Sequence, residues 1–363
     1  MEIELKIVTC QEALNGVKID GDDYKLFENN FLNVRKDILL SNPYLNDYSS
    51  PIAYLIKADG VIVGTLYPFP TRFKAEGNVY NATSASDLYV VKEYEKFALG
   101  ADLVMAPIKN KNSNAVILGD ISAEGMGCYH AYKFYDFALP KMIQPHNCRF
   151  ILENFGLKGF VLKAISFIIN IFIKPYIIVS IYKLRKFANK YKIEKLDDIP
   201  SWVDKMVTND GHKYMEVHDS KWFQWCIDNS FTSSNTRIMA FYAIYNNSHP
   251  IGFFVIREKN TSISSRNISD MRMGTIMEWG SEDENILSEY DITRIAVSCF
   301  SDKIDAIQFA SSNEKVLVKM KRFGFMHHNY HHVVFKDCHK KFKEAKDSSL
   351  WRLRWGYGDS MFC

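Results

Sequence analysis

One stretch, residues 87–104, combines the features that a phosphate-binding turn requires. It is DLYVVKEYEKFALGADLV, an apolar strand followed by a short loop and a helix whose first turn is Leu99-Gly100-Ala101. A helix N-terminus presents unpaired backbone N–H groups and a partial positive charge to an anion. The small residues Ala98, Gly100 and Ala101 let a ligand approach the backbone closely. The pattern predicts a pyrophosphate-binding loop, and an ordinary strand–helix junction is the alternative.

A second stretch, residues 115–137, places a tyrosine at the end of the next strand–helix unit. It is AVILGDISAEGMGCYHAYKFYDF. Together the two stretches resemble the acetyl-CoA motifs of the GNAT acetyltransferase superfamily, L-x-V-x-P-E-Y before Q/R-x-x-G-x-G/A, and later Y-x-K-x-G-F. The matching residues are Leu88, Val90, Glu93, Tyr94, Gly100 and the run from Tyr132 to Phe137. Glu95 replaces the usual Gln or Arg, Ala98 replaces the first Gly, and the family's helix-starting Asn falls near Glu124-Gly125.

The resemblance implies acetyl-CoA or another acyl-CoA as co-substrate, and no metal. The cofactor-binding residues it implies are Leu88, Val90, Val91, Lys96, Phe97, Ala98, Leu99, Gly100 and Ala101. Tyr132 becomes the general acid for the departing thiolate, because a phenol is protonated at neutral pH. A backbone N–H between Leu88 and Val91 would stabilise the oxyanion. The candidate bases are Asp87, Asp120, Glu124 and, from the second half, Glu278.

Glu95 is the main departure from the family pattern. A carboxylate beside a pyrophosphate repels it, so either this side chain points away or CoA binding is weakened. Lys92, Lys96 and Lys109 could compensate the charge.

The second half of the chain repeats the strand–helix–Gly-Phe ending without the loop. DAIQFASSNEKVLVKMKRFGF (305–325) keeps Asn313, but Met320 stands where the tyrosine would be. The preceding EDENILSEYDITRIAV (282–297) is acidic and poorly suited to pyrophosphate. The resemblance therefore implies a duplicated protein with one CoA-competent copy and one degenerate copy, as in FemX-like transferases. Residues 217–231 and 350–362 also resemble transferases of bacterial surface-polysaccharide loci.

The expected fold class is α/β, with a mixed sheet in each of two tandem GNAT-like domains joined by an apolar helical segment. At 363 residues the chain exceeds one usual hydrophobic core. The expected domains are 1–157, with the acyl-CoA loop, and 191–363, which shapes the acceptor site; 158–190 connects them. Asp59-Gly60 predicts a hairpin within 53–69. Further strands are expected at 86–91, 115–121, 237–245, 250–258, 273–280, 305–311 and 331–337. Four helices are expected: one that begins near Gly100, one that ends at about Asp136, one within 196–207 and one at 313–322.

Residues 159–184 are the most apolar part of the chain. The longest uncharged run, 164–173, is shorter than the roughly 20 residues that cross a bilayer, and Pro175 predicts a kink or an end. Packing between the domains, a membrane-surface segment with flanking lysines, and a true span remain three alternatives.

Composition excludes some functions. A net charge of +3 gives no support for a nucleic-acid binder. Seven scattered cysteines without CxxC fit neither a disulfide framework nor a zinc ribbon, and the N-terminus does not read as a signal peptide. The expected location is the cytoplasm, with the inner face of the membrane as an option. Residues 325–337 contain four histidines. They are ordinary loop or strand residues, contacts to the acceptor, or a pair on one strand face that binds a metal, and these three alternatives stay open.

The expected function is N-acyl transfer from CoA to an amine by direct attack in a ternary complex. The acceptor expected first is a small amine or an amino sugar of a nucleotide-linked or glycan precursor. Two alternatives stay open: a FemX-like aminoacyl-tRNA-dependent transferase, and a catalytically degenerate pair that only binds.

Overall fold

The Asp59-Gly60 pair forms the predicted hairpin turn. Both residues have positive φ, 50° and 84°, as a two-residue turn between right-twisted strands requires. Glu76-Gly77 makes a second turn of the same kind, with φ of 52° and 83°. The computed structural model that shows this describes residues 1–16, 36–154, 156–229, 237–261 and 271–361.

The strands and helices are as follows. The strands are β1 (Ile3–Thr9), β2 (Pro51–Ala58), β3 (Val61–Ala75), β4 (Asn78–Val90), β5 (Ala115–Gly119), β6 (Tyr135–Pro145), β7 (Lys192–Leu196), β8 (Tyr214–Glu216), β9 (Arg237–Asn246), β10 (His249–Thr261), β11 (Met271–Ser281), β12 (Ala306–Ala310) and β13 (Met326–Asp337). The helices are α1 (Cys10–Leu14), α2 (Lys36–Leu40), α3 (Leu99–Ile108), α4 (Ala123–Ala131), α5 (Arg149–Asn154), α6 (Gly159–Ala188), α7 (Trp202–Thr208), α8 (Ser220–Asp228), α9 (Glu289–Ser298) and α10 (Glu314–Met320). Short 3₁₀ helices cover Lys92–Phe97, Lys321–Phe323, Ser348–Leu350 and Gly358–Met361.

The chain divides into two compact units. Unit 1 comprises Met1–Ala138, Gly211–Trp225 and His332–Cys363, and unit 2 comprises Leu139–Asp210 and Cys226–His331. The expected α/β class is confirmed, because each unit packs helices on a mixed sheet.

The sheet of unit 1 has the order β1-β2-β3-β4-β5 followed by the end of β13, and β8 pairs with β3. Neighbours are antiparallel except β4 and β5, which are parallel. Helices α3 and α4 contribute Leu103, Val104 and Tyr129 to the apolar core that covers this sheet.

The sheet of unit 2 repeats this order of elements. The end of β6 lies beside β12, and β11, β10, β9 and β7 follow; only β11 and β12 are parallel. The core of this unit includes Leu184 from α6, Ile292 and Ile295 from α9, and Met320 from α10.

The closing strands are exchanged between the two units. The last five residues of β13 pair with β5 in unit 1, from Val333↔Gly119 to Asp337↔Ala115. The last residues of β6 pair with β12 in unit 2, from Lys141↔Ala310 to Pro145↔Ala306. For this reason the units are discontinuous along the chain, whereas the sequence analysis placed 1–157 and 191–363 one after the other.

Several predicted elements have different bounds in the structure; the strand expected at 331–337, for example, begins at Met326. The strand expected at 86–91 begins at Asn78. The helix expected to reach about Asp136 ends at Ala131, because Lys133 adopts a left-handed conformation (φ 57°) and reverses the chain into β6. The helix expected to kink or end at Pro175 continues to Ala188, since its contacts with unit 2 hold both sides of the proline.

Helix α6 belongs to unit 2 and is not a connection outside both units. It has 30 residues, and its most apolar 18-residue window has a mean hydropathy of 2.0 with 17% buried. Within the described ranges it is the one helix long and apolar enough to cross a membrane.

Candidate active site

A cleft of about 480 Å³ opens in unit 1 between the parallel strands β4 and β5. Their ladder holds two residue pairs, Ala82↔Ala115 and Thr83↔Val116. The residues that follow on each strand line the cleft, among them Ser86 on β4 and the stretch from Gly119 to Ser122 after β5. The cleft thus lies at the carboxyl ends of two adjoining parallel strands, where ligands bind in open α/β sheets.

A β-bulge in β4 shapes one wall of the cleft. Tyr67 pairs with Ser86 and Thr65 pairs with Tyr89, so Leu66 alone faces both Asp87 and Leu88. Asp87 has a left-handed backbone, with φ of 53°. Bulges beside active sites redirect backbone and side-chain groups out of the ladder. A bulge at this point can turn a backbone N–H toward a carbonyl oxygen held in the cleft.

The N-terminus of α3 also lines the cleft. Its cap residue, Ala98, is left-handed (φ 57°, ψ 26°), and no side chain caps the first turn. The backbone N–H of Ala98 donates to the Glu95 carbonyl at 3.0 Å, which joins the helix to the 3₁₀ turn of Lys92–Phe97. A helix start without a side-chain cap can donate its amides to a phosphate.

Gly100 keeps the space in front of this helix start open. A Cβ there would lie 3.6 Å from Cys128 Sγ and 3.7 Å from Val90 Cγ2, both ordinary contact distances. Neither the backbone conformation nor the surrounding protein therefore demands a glycine. A ligand that approaches the amide would demand one.

Four of the nine predicted cofactor residues line the cleft. They are Leu88, Val90, Ala98 and Gly100. The side chain of Leu99 is buried in the core of unit 1, and the Val91 N–H donates to the Val63 carbonyl at 2.8 Å.

The remaining three lie on the loop or the first helical turn. Lys96 and Phe97 are exposed, with Lys96 Nζ 5.1 Å from the Phe97 ring, and the Ala101 N–H donates to the Ala98 carbonyl.

Carboxylates dominate the charge of the cleft lining. Asp87, Glu95 and Asp120 all contribute to it, and no lysine or arginine does among its described lining residues. Glu95 lines the cleft, and the lysines expected to compensate its charge are not among the described lining residues. A bound pyrophosphate would depend on backbone amides and the helix dipole for its stabilisation.

The structure brings two of the predicted bases together and leaves the others elsewhere. Asp87 and Asp120 are exposed and line the same cleft, and Asp120 follows β5 with φ of 52°. The side chain of Glu124 lies outside the described residues. Glu278 is buried in β11 of unit 2, where its Oε1 accepts from the Trp279 N–H at 3.4 Å.

Two groups on α4 were not selected from the sequence. Tyr129 lines the cleft, whereas Tyr132 follows the last turn of α4, packs half-buried against the unit 1 core and lies outside the cleft lining. Cys128 also lines the cleft, and burial raises the pKa of its thiol, so it stays protonated and non-nucleophilic near neutral pH. The spacing of Gly125, Cys128 and Tyr129 on one helix face was the signal for these residues.

Ser122 caps the start of α4, just before the Glu124-Gly125 position to which the family's asparagine was assigned. Its Oγ accepts from the Gly125 N–H at 3.1 Å, and the residue lines the cleft. A serine hydroxyl thus satisfies one backbone donor of the first turn of α4, and the family's asparagine is missing here.

The corresponding helix start in unit 2 is already occupied. Ser288 caps α9 by accepting from the Asp291 N–H, and its hydroxyl donates to Asp291 Oδ2 at 2.6 Å. With Glu289 in the same turn, the end of this helix is acidic. The predicted loss of phosphate binding in the second copy is in keeping with this arrangement.

Of the two segments that resemble polysaccharide-locus transferases, residues 217–225 and the described residues of 350–361 belong to unit 1. Trp222 is fully buried and stacks on Tyr44 with ring centroids 5.6 Å apart. Trp351 is likewise buried, and the backbone of Tyr357 lies against Gly119 at the end of β5. These aromatic residues stabilise the unit next to the cleft.

The four histidines lie on β13 as a strand pattern predicts. His331 is buried, and His332 Nδ1 lies 2.8 Å from Asp136 Oδ1. Across the described part of the chain, no group of three or more His, Cys, Asp or Glu residues is placed to hold a metal ion.

Comparison with solved structures gives the fold. The chain aligns over 93% of its length with a GCN5-related N-acetyltransferase from Anabaena variabilis, at 8% identity, covering 73% of that chain with a TM-score of 0.55. N-myristoyltransferase from Saccharomyces cerevisiae, solved with bound myristoyl-CoA, aligns over 92% of this chain and 82% of its own, at 10% identity and a TM-score of 0.55. A probable N-acyltransferase from Enterococcus faecalis aligns over 93% and 73%, at 9% identity and 0.53. The chain has the GNAT fold. No family model and no curated protein matches its sequence.

In the terms of the GNAT fold, the cleft of unit 1 lies where the acyl-CoA motif was expected from the sequence. The bulge at Asp87 and the helix start at Gly100 both lie within residues 87–104, the stretch in which the phosphate-binding loop was predicted.

Proposed function

We propose that this protein is an acyl-CoA-dependent N-acyltransferase whose CoA binds in the cleft of unit 1. The observation that carries the proposal is the helix start at Ala98–Gly100, which has no side-chain cap and faces the opening between β4 and β5. Backbone amides there would bind the pyrophosphate, as they do at other anion-binding helix N-termini. The fold is in keeping with this activity, since solved proteins of that fold include N-acetyl- and N-myristoyltransferases.

The chemistry that fits the cleft is direct attack of an amine on the thioester. The amine nitrogen forms a bond to the carbonyl carbon, and a backbone N–H of the bulge at Asp87 stabilises the oxyanion. Asp87 or Asp120 accepts the ammonium proton, directly or through water, and the collapse of the intermediate releases the thiolate. Tyr129, which lines the cleft, is better placed than Tyr132 to protonate that thiolate. A protonated Cys128 supports direct transfer over an acyl-cysteine intermediate.

The acceptor we propose is a small amine, with an amino sugar of a nucleotide-linked or glycan precursor as the first choice. Its support is the resemblance of residues 217–231 and 350–362 to polysaccharide-locus transferases. The near-neutral net charge of +3 and the acidic cleft lining disfavour an aminoacyl-tRNA donor, since nucleic acid would need a basic surface.

One observation favours a second function. The three carboxylates that line the cleft disfavour a pyrophosphate by charge repulsion. This repulsion does not arise if the protein is a degenerate GNAT pair that binds a ligand other than CoA. We therefore keep a non-catalytic binding protein as the alternative.

A two-step experiment separates the two functions. Calorimetric titration with CoA, acetyl-CoA and myristoyl-CoA measures donor binding, and release of free thiol is then followed with a panel of amines and amino sugars. Saturable CoA binding together with amine-dependent thiol release supports the enzyme. Absence of binding for all three donors refutes the CoA site, and binding without thiol release from any amine favours the non-catalytic alternative.

A further inference from the structure

Helix α6 carries a broad apolar face that the protein leaves exposed. The buried residues of the helix form a narrow stripe at three- and four-residue spacing, Leu162, Ser166, Ile177, Ser180, Leu184 and Ala188. The opposite face holds Phe160, Phe172 and Phe167, which are 83%, 75% and 69% exposed. Ile168, Ile178 and Tyr182 extend this face along the helix and are also exposed. Contiguous exposed apolar surface of this kind marks a contact with another molecule or with a membrane.

Unit 2 holds the helix along its length. Near the first half, Asn170 Oδ1 accepts from the Cys148 N–H at 3.0 Å, and Asn170 Nδ2 donates to Asn147 Oδ1 at 2.9 Å. Farther along, the Tyr176 hydroxyl donates to the Arg322 carbonyl at 3.0 Å.

The end of the helix is fixed in the same way. Arg185 pairs with Asp302 at 2.7 Å, and Leu184 is buried in the unit 2 core. A helix fixed to a folded unit from Asn170 to Arg185 cannot pass through a bilayer without taking that unit with it. Its free face can instead lie flat on a surface.

The charge on α6 identifies the surface. Its 30 residues contain no aspartate or glutamate, and they contain Lys163, Lys174, Lys183, Arg185 and Lys186. At 100° per residue, Lys163 and Lys174 fall about 20° apart on one border of the exposed apolar face, and Lys183 falls on the other border. An apolar face bordered by cations is complementary to the acyl chains and anionic headgroups of a lipid leaflet. A second copy of the same face would bring like charges together.

We propose that α6 attaches the protein to the surface of an anionic bilayer, lying in the headgroup plane with its phenylalanines inserted toward the acyl chains. The 30 residues extend about 45 Å along the membrane. The basic side chains contact lipid phosphates on both sides of the apolar face. The attachment concerns unit 2 and does not depend on CoA binding in unit 1.

Vesicle flotation of the full chain tests the proposal. The vesicles are phosphatidylcholine with one quarter phosphatidylglycerol, compared with pure phosphatidylcholine, at 0.1 M and 0.5 M NaCl. We expect binding to the anionic vesicles that falls at least tenfold on pure phosphatidylcholine or in the higher salt. No binding to anionic vesicles overturns the proposal.

Paired variants assign the binding to α6. Phe167→Asp combined with Phe172→Asp should reduce the bound fraction at least tenfold, whereas Val318→Asp, which changes an exposed residue on α10 of the same unit, should not. Replacing Lys163, Lys174 and Lys183 by Gln should weaken partitioning roughly a hundredfold, since each basic residue near an anionic surface contributes about a factor of five. The control replaces the exposed Lys195, Lys205 and Lys315 by Gln.

Circular dichroism and thermal unfolding verify that each variant is folded. Equal binding of the α6 variants and their controls overturns the assignment to α6. If the protein binds no vesicles but forms a dimer without lipid, and the Phe167/Phe172 variant is monomeric, then the apolar face of α6 binds a second copy of the chain. Resistance of vesicle-bound protein to alkaline carbonate extraction would replace surface attachment by a span.

Discussion

Substitution of Gly100 separates the needs of the fold from the needs of the ligand. A Cβ at this position meets Cys128 Sγ at 3.6 Å and Val90 Cγ2 at 3.7 Å, so Gly100→Ala introduces no clash. Alanine in a helix is more stable than glycine by up to about 1 kcal/mol. The shift in Tm equals this gain divided by the entropy of unfolding, which for a chain or unit of this size gives a rise of about 1 to 3 °C. The fold should therefore tolerate or gain from the change.

The ligand should respond in the opposite sense. A longer side chain, as in Gly100→Leu, extends from the same Cβ into the cleft and holds a phosphate away from the α3 amides. Loss of one hydrogen bond to a charged group costs about 1.5 to 3 kcal/mol, which is about a 10- to 150-fold rise in Kd. Calorimetric titration with acetyl-CoA measures this change, and denaturation measures the stability.

Gly127 supplies the matched control. It lies within α4, has no heavy atom within 4 Å of an added Cβ, and is outside the cleft lining. Gly127→Ala should stabilise the protein by a similar amount and leave the Kd for CoA unchanged. A folded Gly100→Leu variant that binds CoA as tightly as the wild type would refute the placement of the site at this helix start.

Three further predictions concern charge and protonation. Glu95→Gln removes a carboxylate from the cleft and should lower the Kd for CoA about 2- to 10-fold at low salt. Glu93→Gln changes a residue on the same 3₁₀ turn but outside the lining, and it should leave this Kd unchanged. An unchanged Kd for Glu95→Gln would show that this carboxylate lies too far from the phosphates to act. Tyr129→Phe should lower the rate of thiol release at least tenfold with little change in CoA affinity, and Tyr132→Phe should lower that rate less. A larger loss of rate for Tyr132→Phe in the same thiol assay would instead identify Tyr132, the residue predicted from the sequence, as the general acid. Burial lowers the pKa of His146 from 6.5 to about 4, so between these pH values the unfolded chain binds a proton that the folded chain does not. The free energy of unfolding therefore falls by up to about 3 kcal/mol as the pH drops from about 6.5 toward 4. His146→Gln should flatten this part of the pH profile in urea unfolding, and an unchanged profile would contradict the prediction.

The elements with strong local signals were predicted from the sequence. The Asp59-Gly60 turn, the strands β9 to β12 and the helix start at Gly100 follow from turn chemistry and apolar patterning. Strand β7 and the end of β6 were not predicted. The Glu76-Gly77 turn was missed because the residues that follow it on β4 are mostly polar. The start of β6 was taken for helix, since Tyr135 continues an aromatic run that also fits a helix face.

The exchange of closing strands could not be predicted from the sequence. The endings at Phe137 and Phe325 are alike, and nothing local states which sheet each following strand joins. In the site, the motif found Ala98 and Gly100, but the direction of Glu95 and the selection of Tyr129 over Tyr132 depend on how α3 and α4 pack.

The exchanged strands also set the order in which the protein can be completed during synthesis. Unit 1 has most of its residues by Ala138 but lacks its closing strand until β13 leaves the ribosome. At about 5 to 20 residues per second, the intervening 139–331 take roughly 10 to 40 s to translate. For that time the edge of β5 has no partner from its own unit and is exposed to pairing with other chains. A fragment that stops before residue 332 should therefore aggregate, and a nascent chain should depend on chaperones until residues 333–337 can pair with β5.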